Sequence, residues 1–167
     1  NVMIEHQLKR AATGASDTWK KQTVIKPVLD SILSAMGKVY RDKDIIFDCK
    51  VGKKDYFLGD KTDLMELLGN LIDNACKACR SQVTIKVAQG KTLCISISDD
   101  GPGVPQDKRE SLLTRGTRLD TYESGHGVGM AIVSDLVKSY RGLLTISKSE
   151  QLGGAKFMLE FNYHEKK

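Results

Sequence analysis

The chain has 167 residues, enough for one domain that buries a real core. Hydrophobic residues make up 40% and charged residues 28%, an ordinary soluble composition. The net charge of +5 is spread along the chain, so it gives no footprint for nucleic acid. No apolar run approaches the roughly 20 residues that span a membrane, and no signal-peptide pattern is present. The chain opens at Asn1 without a Met, which suggests a piece of a longer protein.

Residues 1–19 read as the tail of a helix and a polar connector, ATGASDTWK, leaving 20–167 as the folded domain. Thr23 to Ile25 forms a short strand in this reading. Pro27 then opens a helix, with Val28, Leu29, Ile32, Leu33 and Met36 at helical spacing. Ile45 to Val51 alternates like a strand. Asp60 is placed to cap a helix running from Lys61 to about Arg80. Strands Gln82 to Ala88 and Thr92 to Asp99 follow, joined through Gln89-Gly90. A long polar stretch covers Asp100 to Gly125. A helix from about Val128 to Tyr140 ends at Gly142. Leu143 to Ser149 and Ala155 to Asn162 then make a hairpin across Leu152-Gly153-Gly154. Helices mixed with hairpin strands predict an α/β two-layer sandwich, a mixed sheet packed on about three helices.

Four cysteines are present: Cys49, Cys76, Cys79 and Cys94. Cys76 and Cys79 form a CxxC, yet no second ligand pair has suitable spacing. The pair also falls within a helical pattern, which favours reduced structural thiols in a cytosolic protein.

The helix at Lys61 carries Leu64, Leu67, Leu68, Leu71 and Ala75 on one face. Glu66, Asn70, Asp73, Asn74 and Lys77 share the opposite stripe. Two carboxamides one turn apart, followed by a Lys, suit a hard cation and phosphates; spacing alone equally describes a solvated helix face. In the strand Thr92 to Asp99, Leu93, Ile95 and Ile97 point one way and Asp99 is in phase with them. A carboxylate on the core side needs hydrogen bonds, and the turn DGPG that follows lets a ligand approach the backbone. A turn-capping role for Asp99 fits the same residues. Gly125-His126-Gly127-Val128-Gly129 enters a helix and offers free N–H groups to an anion. It is neither a Rossmann fingerprint nor a Walker A loop. The stretch Asp100 to Gly125, with Lys108, Arg109, Arg115 and Arg118, reads as a basic lid or as a solvated loop.

Taken together and in order, NLIDNA, DDGPG, GHGVGM and LGGAKF resemble the ATP-binding domain shared by sensor histidine kinases, gyrase, Hsp90 and MutL. The resemblance runs from about Thr23 to Asn162 and implies the Bergerat-type ATP-binding fold. Within it, DNACKAC, TRGTRLDT and GHGVGMAIV resemble the PhoQ-type sensor kinases. By this resemblance Asn70 is a Mg²⁺ ligand, and Asn74 and Lys77 lie near the phosphates. Asp99 binds adenine, Gly101 and Gly103 with Val104 shape the purine wall, and Arg118 reaches phosphate. Gly125, His126, Gly127, Val128, Gly129 and Met130 form the second glycine box, with His126 near the metal. The catalytic set is Asn70, Lys77 and Arg118, and the cofactors are ATP and Mg²⁺. Four positions depart from the family pattern. Ala78 stands where a Tyr packs on adenine, Glu123 replaces an Arg, His126 replaces a Gln, and Leu113 replaces a Phe.

In the gyrase and Hsp90 branch a Glu activates water four residues before the metal-binding Asn. Here Asn70 holds that position before Asn74, and a carboxamide is a poor general base. The resemblance therefore implies γ-phosphate transfer to a His on another domain, with a response regulator as onward partner. His6, in EHQLKR, lacks the Thr/Ser-Pro that usually follows a phosphoacceptor, so it reads as the end of a dimerisation helix. The full protein is expected to be a bacterial inner-membrane homodimer, with this fragment monomeric and cytoplasmic. A nucleotide-binding regulatory module without transfer activity, or an anti-sigma-type Ser/Thr kinase, are the alternatives.

Overall fold

The structure, a computed structural model, describes residues 21–115 and 127–163. Residues 1–20 with His6, and Arg118, Glu123, Gly125 and His126, lie outside them.

Strand β1 (Gln22–Val24) leads directly into α1 (Ile25–Val39), two residues earlier than Pro27 suggested. Pro27 is tolerated because first-turn N–H groups have no intrahelical partner. The Ile25 N–H instead donates to the Asp55 carbonyl at 2.9 Å. Strands β2 (Ile46–Lys50) and β3 (Tyr56–Leu58) follow, then the central helix α2 (Lys61–Ala78). Strands β4 (Gln82–Gln89) and β5 (Thr92–Asp99) form the expected hairpin. Helix α3 (Gln106–Arg115) comes next, and α4 (Gly127–Ser139) leads into β6 (Leu143–Lys148) and β7 (Ala155–Asn162).

The main sheet has the order β2-β4-β5-β7-β6. Its β2–β4 pair is parallel, with Phe47 opposite Val83 and Cys49 opposite Ile85; the other pairs are antiparallel. The two-layer α/β sandwich holds, with helices packed on one sheet face. Strands β1 and β3 make a separate two-stranded ribbon.

Alternation sends Leu93, Ile95 and Ile97 into the core from β5, and Phe157, Leu159 and Phe161 from β7. They meet Leu64, Leu67, Leu68, Leu71 and Ile72 of α2, all fully buried. Truncating one of these leucines to Ala costs about 2–5 kcal/mol by the usual core penalty.

Four expectations change at element ends. Asp60 is the N-cap of α2, but its side chain makes no capping bond among the described residues. Its N–H donates to the Tyr140 hydroxyl at 3.2 Å, and that hydroxyl donates to buried Asp63 at 2.5 Å. Helix α2 stops at Ala78, not Arg80. The Arg80, Ser81 and Gln82 N–H groups are taken by the Asp100 carboxylate at 2.7, 3.1 and 3.2 Å, which turns the chain into β4. At the end of α4, Arg141 and not Gly142 takes the left-handed conformation (φ 56°). The Gly142 N–H reaches the Val137 carbonyl at 2.8 Å, closing the helix in a Schellman arrangement. Gly142 is small because a Cβ there would lie 2.5 Å from the Phe161 ring. Finally, the polar stretch after Asp100 contains a helix, α3. It is tied to α4 by the Ser134 hydroxyl, which donates to the Leu113 carbonyl at 2.7 Å.

Candidate functional site

A cavity of about 290 Å³ opens between α2, the turn after β5, α3, α4 and the start of β7. Of the expected site residues, Asn74, Lys77, Ala78, Asp99, Gly103, Val104 and Met130 line it. Residues absent from the expected set, Pro102, Leu112, Ala155 and Phe157, complete its walls. Ala155 and Phe157 were open to discovery, since both lie on the inward phase of β7, whereas Leu112 belongs to the unforeseen helix α3.

Asp99 is 1% exposed, as its phase in β5 predicted. Its Oδ1 accepts from the Gly101 N–H at 2.8 Å and from the Ala155 N–H at 3.4 Å. Burial pushes its carboxyl above the usual Asp range, while those two amides pull it down and Asp100 adds a smaller upward push. Glycine is required around this carboxylate by close approach. A Cβ on Gly101 would lie 2.2 Å from the Ala78 carbonyl oxygen, and one on Gly154 would lie 2.4 Å from Asp99 Oδ1. Gly103 has φ +83°, a conformation that favours glycine.

The neighbouring Asp100 has the opposite environment. Some burial works against its charge, but the amides of Arg80, Ser81 and Gln82 and the Ser81 hydroxyl hold it below the usual range. Of the two adjacent carboxylates, Asp100 is therefore structural and Asp99 faces the cavity.

On α2, Asn74 is 5% exposed, so the polar stripe is not simply a solvated face. Its Nδ2 is buried and has no hydrogen-bond partner among the described residues. A buried donor left open at a cavity wall fits a ligand acceptor. Asn70 lies beside the cavity and not in its wall. Its Nδ2 donates to the Glu66 carbonyl at 2.7 Å, which leaves Oδ1 as an acceptor with no partner among the described residues. That oxygen faces the first turn of α4, where a Cβ on Gly129 would come within 2.8 Å of it. Gly127 and Val128 are the first residues of that helix. Lys77 pairs with Asp73 at 3.2 Å, and Asp73 also accepts the Tyr40 hydroxyl at 2.5 Å. Asp73 is thus engaged by Tyr40 and Lys77.

The CxxC thiols do not line this cavity. Cys76 and Cys79 are buried, and Cys79 donates to the Cys76 carbonyl at 3.4 Å. Burial, with Cys79 beside it, pushes Cys76 up to about 12, and burial also raises Cys79, so both stay protonated and unreactive at neutral pH. No helix among the described residues is long and apolar enough to cross a membrane.

Residues 59–165 match the family described as "Histidine kinase-, DNA gyrase B-, and HSP90-like ATPase". The chain belongs to that family. The virulence sensor histidine kinase PhoQ of Salmonella typhimurium is 38% identical over 161 residues, covering 95% of this chain and 33% of that protein. The sensor protein PhoQ of Escherichia coli K12 is 38% identical over 138 residues, covering 82% of this chain and 28% of that protein. The chain thus spans about a third of the length of these curated relatives. The solved mycobacterial sensor histidine kinase MprB superposes with a TM-score of 0.73 at 25% identity, covering 86% of this chain and 97% of that one. A full-length ShkA structure in complex with AMPPNP gives a TM-score of 0.70 at 25% identity, covering 84% of this chain and 30% of that one. This domain is therefore a histidine kinase-type ATPase domain of the sort found in two-component sensor kinases, with an ATP-binding fold.

Proposed function

We propose that this histidine kinase-type domain binds MgATP and transfers the γ-phosphate to a histidine on a separate dimerisation domain. The observation that carries the reading is Asp99, a buried carboxylate with Oδ1 anchored on two backbone amides and a face toward an apolar cavity. Such an acceptor suits the adenine amino group. Val104, Leu112, Met130 and Phe157 supply the apolar walls for the purine. The open Nδ2 of Asn74 and the ammonium of Lys77 suit the phosphates.

Mg²⁺ fits the donor chemistry. Asn70 presents a carboxamide oxygen freed by its bond to Glu66, and His126 is the second ligand by resemblance. When bound, the ion neutralises phosphate charge. Arg118 and the box Gly125, His126, Gly127, Val128 and Gly129 complete the phosphate side. Asn70 stands in place of a carboxylate, and a carboxamide is a poor general base for activating water, which favours transfer over hydrolysis. In that transfer the bond between the γ-phosphorus and the bridging oxygen breaks, a P–N bond to imidazole forms, and ADP leaves.

The remaining architecture follows the same reading. Residues 1–19 end a dimerisation helix and 20–167 form the catalytic domain. The phosphoacceptor domain of the same receptor and a response regulator are the partners. The whole protein is an inner-membrane homodimer with this part in the cytoplasm, and the fragment alone is monomeric.

The test has two arms. Calorimetry of Asp99→Asn should show ATP affinity weakened by about tenfold or more, because a buried acceptor becomes a donor. Unchanged affinity would remove the adenine assignment. Mixing the domain with separately made phosphoacceptor helices and labelled MgATP should give an acid-labile phosphohistidine. Nucleotide binding with no label points to a regulatory module, and acid-stable label on Ser or Thr points to the other kinase class.

A further inference from the structure

The main sheet has a second face, turned away from the helices. Alternation places Lys86, Ser96, Ser98, Ser147 and Lys156 on it, because Ile85, Ile97, Ile146 and Phe157 point into the core. The register brings these residues together. Ser98 stands between Thr84 of β4 and Lys156 of β7, and Lys156 stands beside Ser147 of β6. Ser96 stands beside Lys86. With Lys148 at the end of β6, they line a concavity of about 420 Å³.

The charge there is unbalanced. Three lysines line the concavity against a single acid, Glu150, and none of the three has an ion-pair partner among the described residues.

We propose that this open sheet face is a second anion site, separate from the nucleotide cavity, for a small soluble ligand bearing phosphate groups. Hydroxyl donors with lysine point charges suit a tetrahedral oxyanion. The lining contains no aromatic or large apolar side chain. A protein interface would need such anchors, and single-stranded nucleic acid would need rings for stacking. The two sites lie back to back, since Ser98 precedes Asp99 and Lys156 follows Ala155 on opposite sides of the same strands.

The experiment is a titration of the domain with pyrophosphate, followed by backbone amide chemical shifts. Saturating shifts are expected at Ser96, Ser98, Ser147 and Lys156. They should persist in Asp99→Asn, which separates this site from the nucleotide reading. The double variant Lys148→Ala/Lys156→Ala should bind about tenfold more weakly or worse, with an unchanged thermal midpoint. Ser98→Ala, which keeps every charge, should also weaken it, and added salt should weaken it further. Absence of saturating shifts at these amides, or equal affinity in the double variant, overturns the proposal. So does a glutamate-rich peptide that shifts them when pyrophosphate does not, which would make the face a protein-docking surface.

Discussion

Gly154 lies against Asp99 with no space for a side chain: a Cβ would meet the Asp99 carbonyl oxygen at 2.3 Å and Oδ1 at 2.4 Å. The Gly154 N–H also donates to that carbonyl at 3.1 Å, so the entry to β7 and the end of β5 hold one another. Gly154→Ala must push the two strands apart or rotate the carboxylate. The expected loss is about 1–3 kcal/mol of stability, as in other overpacked sites. ATP affinity should fall with it, because the Ala155 N–H loses its hold on Asp99. Gly90→Ala is the control, since a Cβ there meets nothing within 4 Å. Denaturant midpoints and calorimetry on both variants check this, and equal behaviour of the two would refute it.

The raised pKa of Asp99 makes stability and ligand binding run in opposite directions with pH. Burial is the main cause, opposed by the Gly101 and Ala155 amides. The folded chain holds this proton more tightly than the unfolded chain. Its contribution to stability is therefore fully present below the unfolded pKa and lost as pH rises through the folded value. A ligand donor needs the ionised acceptor, so ATP affinity should weaken as pH falls through that same folded value. Subtracting the Asp99→Asn profile from the parent isolates both trends. Parallel profiles for the two proteins would show that Asp99 does not titrate in this window.

Asp100 should show the reverse sign. Burial opposes its charge, but the backbone amides and the Ser81 hydroxyl together lower its pKa. The stability it confers is present above the unfolded pKa and lost as pH falls through the folded one. Asp100→Ala should cost about 1–2 kcal/mol at neutral pH, after discounting for its partial solvent exposure. The gap between variant and parent should close in acid. A gap that stays constant down to the acid limit would mean that the charge is not what holds the α2–β4 turn.

The sequence carried the parts of this site that depend on local periodicity. Leu93, Ile95 and Ile97 set a phase, and Asp99 sits in it, so its burial could be read directly. Helix α2 was legible for the same reason. Contacts between distant segments were not. The Tyr140–Asp63 bond joins residues 77 positions apart, and nothing local distinguishes it from ordinary capping by Asp60. Strand β3 is three residues long, too short for an alternating pattern. Helix α3 opens with Gln106, Asp107, Lys108, Arg109 and Glu110, which give no apolar stripe until Leu112 and Leu113. Asn74 sat on the polar side of α2 by pattern, yet it is buried at the cavity wall.

Lys43 holds the C-terminal end of α2. Its ammonium donates to the carbonyls of Cys76, Lys77 and Cys79 at 2.7, 2.8 and 2.9 Å, capping the negative end of α2. Lys43→Met keeps the apolar stem and removes both donors and charge. The expected loss is about 1–2 kcal/mol. The effect should reach the nucleotide cavity, because Ala78 lies in that last turn and its carbonyl packs against Gly101 beside Asp99. Amide exchange at Lys77 to Cys79 should quicken, and ATP affinity should weaken in step. Lys43→Arg retains the charge and several donors, so it should recover part of both. A stability loss with unchanged exchange in the last turn of α2 would place the effect elsewhere and sever the link from Lys43 to Asp99.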